Sequence, residues 1–302
     1  MERITLTIEA FLQHLANGIS LGSLYALIAI GYTMVYGILR LINFAHGEIF
    51  MLSTYVALYG VALFTLPWQL AFLLAILLTG LMGVLIEKAA YSPLRESPKM
   101  SVLISAIGIS FFLQNLGLVI FTGRPKTFPR PDFFAKIFDF GGIKIMSLTF
   151  VIPVVAAIFL AILVFLVNKT KMGMAMRAVS KDFETARLMG IDVDRVISYT
   201  FFIGSALAAV GGIMWGMKFP RIDPLLGLLP GLKCFIAAVV GGIGSITGAV
   251  IGGFFLGLGE IMLVAFFPEF SGYRDAFAFV LLIIILLVKP TGIIGEKMTE
   301  KV

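Results

Sequence analysis

The sequence predicts an all-α polytopic membrane protein, and three observations carry that prediction. Sixty per cent of the 302 residues are hydrophobic and only 13% are charged. Mean hydropathy is +1.04, a value that would leave a water-soluble domain with a very large exposed apolar surface. The apolar residues also fall in continuous runs rather than in alternation. That pattern favours helices over a β-barrel, because backbone polar groups in lipid must be paired within the segment.

A crossing helix needs about 20 apolar residues. Leu15 to Gly37, Ile49 to Phe64, Trp68 to Ile86, Val102 to Thr122, Leu148 to Val167, Ile197 to Met217 and Ala276 to Val288 are read as membrane elements. The run from Leu232 to Phe267 is long enough for more than one crossing, which makes about eight membrane helices in a single domain, residues 1–302. The first run is too long for a signal-peptide core and no small-residue cleavage pattern follows it, so it reads as a retained span.

Lys88, Arg95, Lys99, Lys169, Lys171, Arg177, Lys181, Arg187 and Arg195 lie in one set of connections, which the positive-inside rule assigns to the cytoplasm. The connection from Gly123 to Met146 carries Arg124, Lys126, Arg130, Lys136 and Lys144 but is long and Pro-rich, so the rule weighs less there. With the tail (Lys289, Lys297, Lys301) on the cytoplasmic side, parity requires the run from Leu232 to Phe267 to dip inward and return. Gly241, Gly242, Gly244 and Gly248 in VVGGIGSITGAVIGG can break a helix for such a return, or serve simply for close helix packing.

The net charge of +6 fits charges flanking spans; no basic cluster interleaved with aromatics suggests nucleic acid. GGIGSITG lacks the lysine of a phosphate-binding loop, so the chain is expected to hydrolyse no ATP itself. His14 and His46 are far apart and no catalytic or metal-binding spacing occurs. Cys234 has no intrachain partner with which to form a disulfide.

Two polar interruptions remain. In LRLINFAHGEIFM, Asn43, His46, Gly47 and Glu48 either form a helix break lining a pathway or belong to an ordinary solvated turn. The second is the island SKDFETARLMGI, residues 180–191, within a water-facing stretch at 168–196. There Asp182 can cap a helix that has Glu184 in its first turn and Gly190 as its stop, about two turns or roughly 12 Å long. So short a helix needs something to pack on, a partner or the lipid headgroups, and Phe183, Ala186, Leu188 and Met189 supply apolar surface for it. Lys218, Arg221 and Asp223 form a weaker candidate pocket. Glu260, inside an apolar run, is expected to face the bundle interior or a partner.

Glu184, Thr185, Ala186 and Gly190 resemble the EAA-xxx-G motif of ABC importer permeases, with Thr185 where the second alanine would stand. Together with NGISLGSLYALIAIGYTMVYGILRLINFAHGE, AAVVGGIGSITGAVIGG and VKPTGIIG, the chain resembles LivH-type permease subunits of branched-chain amino acid ABC importers over nearly its whole length. The resemblance implies a multi-pass protein of the bacterial inner membrane that pairs with a second homologous permease, the same or different. Two cytoplasmic ATPases would carry ATP and Mg, a periplasmic binding protein would deliver Leu, Ile or Val, and this chain would bind no cofactor of its own. It also implies that Asp182, Glu184, Thr185, Ala186, Arg187 and Gly190 belong to a helix coupling the permease to an ATPase, and it raises the pathway reading for Asn43, His46 and Gly47, beside which Glu48, Gly241, Gly242 and Gly244 are the other candidate pathway-lining residues. The alternatives are a cargo of urea, short amides or another small solute, and an ion-coupled transporter or channel working without ATPases.

Overall fold

A computed structural model of the chain describes residues 8–95, 97–140 and 143–295. Lys297 and Lys301, invoked above for orientation, lie outside the described residues. Among the described residues seven helices are long and apolar enough to cross a membrane. The sheet is confined to short antiparallel pairings outside the spans.

The central post is α1 (Ile8–Leu39), about 48 Å long, whose most apolar stretch is 94% buried. Small residues let neighbouring helices close on it: Gly253 and Gly257 of α11 (Ile246–Phe266) face the backbones of Ala26 and Gly22. Helix α9 (Val193–Lys218) is the second buried post. At the rim stand α4 (Lys99–Phe121), α6 (Ser147–Lys169) and α12 (Arg274–Val288), which offer most of their apolar surface to lipid or partners.

Two helices are short because each starts inside the bundle. Helix α2 (His46–Ala62) follows a six-residue return of the chain that begins at Arg40, whose φ of +53° ends α1. His46 packs on Gly31 and Tyr32, so α2 begins about 12 Å back from the end of α1. Helix α10 (Leu228–Gly241) begins beside it: a Cβ added to Gly47 would meet the Gly227 carbonyl at 2.5 Å and the Gly231 Cα at 3.2 Å. Helix α3 (Trp68–Ile86) continues through a π-helical turn, Glu87–Tyr91, and a 3-10 turn, Ser92–Leu94.

The long 123–146 connection has structure of its own. Strand β1 (Lys126–Thr127) pairs with β4 (Arg221–Ile222) across the sequence, a short helix α5 (Asp132–Ala135) follows β1, and β2 (Ile137–Phe140) pairs with β3 (Ile143–Met146). Gln13, near the start of α1, donates to the Lys144 carbonyl, which places the start of α1 on this face. The end of α1 reaches the opposite face, where Ile38 and Arg40 share a groove with Ser180 and Asp182. We call this second face the island face.

The inward dip proves deeper than a shallow loop. The turn at 242–245 reaches the island face beside Gly37, and Gly242 and Gly244 adopt φ of +115° and +97°, conformations open to glycine. Helix α11 then returns to the other face. Gly248 serves the alternative use of small residues, packing against the Gly241 backbone across the hairpin. The segment after α12 pairs back on this turn through Ile293 N–H to the Val240 carbonyl and Ile294 N–H to the Gly241 carbonyl.

Candidate functional site: a docking helix and a polar break

The island folds as expected from its caps, and with more around it than expected. Asp182 accepts a 3.0 Å bond from Thr185 N–H and starts α8 (Phe183–Leu188) with Glu184 in its first turn. Gly190, at φ +79°, closes it: its N–H bonds the Arg187 carbonyl and Ile191 N–H bonds the Ala186 carbonyl, the paired bonds of a Schellman stop. At six residues α8 spans about 9 Å, shorter than the sequence suggested. Its apolar residues divide in a way the sequence did not resolve. Ala186 is buried against the chain, Phe183 is half-exposed, and Leu188 and Met189 stand 87% and 77% exposed.

The stretch 168–196 was expected to hold one helix, but a second, α7 (Lys171–Lys181), precedes α8. Thr170 caps it through Gly173 N–H, and Gly173, Met176 and Val179 are buried against the bundle. The signal was present as Met172, Met176 and Val179 at helical spacing, obscured by Arg177 among them and by the flanking Lys169, Lys171 and Lys181.

Behind α8 lies an ion network that sequence reasoning missed. Arg95 bridges Glu87, fully buried in the π-helical turn, and Asp194 on the first turn of α9. Ser198 donates to the other Glu87 oxygen at 2.7 Å. One turn on, the Tyr91 hydroxyl donates to Asn43 Oδ1 at 2.8 Å.

The polar break is therefore no solvated turn: Asn43, His46 and Glu48 are 2%, 1% and 2% exposed. Asn43 and His46 are nevertheless engaged by protein partners, and neither is among the residues seen to line a cavity. Asn43 is held by Tyr91, while the His46 ring lies 4.4 Å from that of Tyr32 and bonds the Ile28 carbonyl. Gly47 and Glu48 do line one, a cavity of about 160 Å³ between α2, α4 and α10. Ser110 and Gln114 of α4 join it, a pair at i, i+4 within an apolar span that the sequence reading passed over. Gly241, Gly242 and Gly244 are not brought to this place. They sit at the far end of α10, about 16 Å along the helix from Gly231.

The remaining candidates are engaged in structural contacts. Lys218 donates to Ser20 at 2.7 Å, Arg221 belongs to β4, and Asp223 caps Leu225 N–H. Glu260 faces the interior as expected, bound by Tyr25 at 3.0 Å and Lys233 at 2.9 Å. Lys233 also reaches Asp275 at 2.6 Å, which ties α10, α11 and α12 together.

Residues 14–286 match the family described as branched-chain amino acid transport system / permease component. The chain belongs to this permease family. The permease is 43% identical to the high-affinity branched-chain amino acid transport system permease protein LivH of Salmonella typhimurium over 97% of this chain and 98% of that protein. It is 42% identical over the same shares to BraD, the permease protein of the corresponding system in Pseudomonas aeruginosa. Among solved structures, PsaBC from Streptococcus pneumoniae shares the fold at a TM-score of 0.50 and 14% identity, covering 92% of each chain. The family match and the apolar helices together make this a multi-pass membrane permease.

Proposed function

We propose that this permease is a subunit of an ATP-driven importer that moves leucine, isoleucine and valine across a bacterial inner membrane, with the island face in the cytoplasm. It forms the translocation pathway with a second, similar permease. Two cytoplasmic ATPases bind ATP and Mg and drive it, and a periplasmic binding protein delivers the amino acid.

The observation that carries the ATP-driven mechanism is the form of α8. A helix of six residues is unstable alone in water, yet this one is capped at both ends and turns Leu188 and Met189 outward. An exposed apolar tip on a rigid, charged base suits insertion into a groove of a soluble partner. The likeness to LivH and BraD along nearly the whole chain supports the cargo.

The coupling role falls to Asp182, Glu184, Thr185, Arg187 and Gly190, which cap, charge and stop the helix, and to Ala186, which seats it. Closure of the ATPases shifts α8, and the Arg95 bridge from α9 to the end of α3 passes the movement toward Tyr91 and Asn43. The small cavity beside Glu48, between α2, α4 and α10, is this subunit's half of the pathway. Purification of the tagged permease in mild detergent from cells expressing its operon tests the assignment. Two ATPase subunits are expected to accompany it, and their consistent absence removes the importer reading.

A further inference from the structure

We infer that the Glu48 carboxylate receives the ammonium group of the amino acid as it crosses the cavity between α2, α4 and α10; this rests on the amino-acid permease reading above. Glu48 is 2% exposed and its Oε2 has no hydrogen-bond partner in the described residues. A carboxylate buried in this way is costly to keep without compensation. Two features of the fold supply some. Glu48 occupies the first turn of α2, and its Oε2 lies 2.8 Å from where a Cβ on Gly227 would stand, at the start of α10. Two helix N-termini, each with a positive dipole end, thus lie beside the carboxylate and favour its charged form.

No lysine or arginine is among the described residues lining the cavity. The countercharge must therefore arrive with the cargo, and an α-ammonium is the group an amino acid brings. Ser110 and Gln114 on the facing helix are neutral hydrogen-bonding groups suited to the cargo carboxylate, which Glu48 would repel. Phe44, Phe111 and Phe235 give the apolar wall that an aliphatic side chain needs. At about 160 Å³ the cavity is well below the 300 Å³ or so of a complete small-ligand pocket, in keeping with one half of a site closed by the second permease.

The test uses the whole importer in liposomes, with the binding protein saturated with leucine. Glu48→Gln is expected to lower leucine uptake about tenfold or more while the ATPases still co-purify, and Glu48→Asp to restore part of it. In the wild type, 3-methylbutylamine, which keeps the ammonium and the branched chain, should inhibit uptake at concentrations about tenfold below 4-methylpentanoate, which keeps the carboxylate and the branched chain but lacks the ammonium. The residual uptake of Glu48→Gln should resist the amine. Uptake by Glu48→Gln within twofold of wild type, or equal inhibition of wild type by amine and acid, overturns the inference while leaving the importer assignment intact. A wild-type complex that moves no branched-chain amino acid overturns the cargo reading itself.

Discussion

The Tyr91 hydroxyl and Asn43 Oδ1 are joined by a 2.8 Å hydrogen bond between buried side chains, and this bond ties the break before α2 to the π-helical turn that ends α3. That turn is anchored through Glu87 and Arg95 to the base of α9, directly after α8. Loss of the bond leaves a buried amide unpaired on both oxygen and nitrogen, since Asn43 Nδ2 already lacks a partner in the described residues. Tyr91→Phe is expected to cost about 1 kcal/mol of stability and Asn43→Leu to impair uptake with ATPase association retained. Thermal melts in detergent and uptake assays check both, and unchanged uptake in Asn43→Leu removes the break from the transport path.

The two arms of the Arg95 bridge should differ in weight. Glu87 is fully buried, so Glu87→Leu leaves the partly buried guanidinium with only the exposed Asp194 and is expected to destabilise the fold by about 3 kcal/mol. Asp194 is largely exposed, so Asp194→Asn should cost under about 1 kcal/mol. Unfolding temperatures of the two variants in one detergent decide whether this order holds.

The Lys233, Glu260 and Asp275 cluster is read as a tie between helices and not as an ion pathway. Lys233→Met leaves Glu260 with only Tyr25 for a partner and is expected to lower stability by about 3 kcal/mol, whereas Lys233→Met with Glu260→Leu should recover most of the loss. Recovery of folding without recovery of uptake in the double variant would speak for a transport role instead.

Exposed apolar residues at the tip of α8 should matter for assembly and not for folding. Leu188→Asp and Met189→Asp together are expected to leave the melting temperature within a few degrees and abolish co-purification of the ATPases. Gly190→Pro acts differently. It removes the N–H that bonds the Arg187 carbonyl and forbids the positive φ, so it should unseat α8 and abolish uptake while the permease remains in the membrane.

What could be read from the sequence follows the range of the interactions involved. The spans were legible because lipid imposes length and apolarity on each segment independently, and the α8 caps because Asp182 and Gly190 act within four residues of their targets. The hairpin at Gly242 was visible from parity, but its depth was set by contacts with Gly37 and Gly295, far away in sequence. Asn43, His46 and Glu48 read as one polar motif, yet tertiary packing sends the first to Tyr91, the second under Tyr32 and only the third toward the cavity. The Arg95 bridge joins residues 99 apart, so no local pattern announces it.

The most direct test of the coupling account is a crosslink from α8. The native Cys234 is buried, so Leu188→Cys provides a single reactive thiol at the exposed tip. In membranes containing the assembled importer, a short thiol-to-amine crosslinker is expected to join position 188 to an ATPase subunit, and a water-soluble maleimide should label it far more slowly than in the isolated permease. Equal maleimide labelling in both, with no ATPase adduct, would contradict the assignment of α8 as the docking helix.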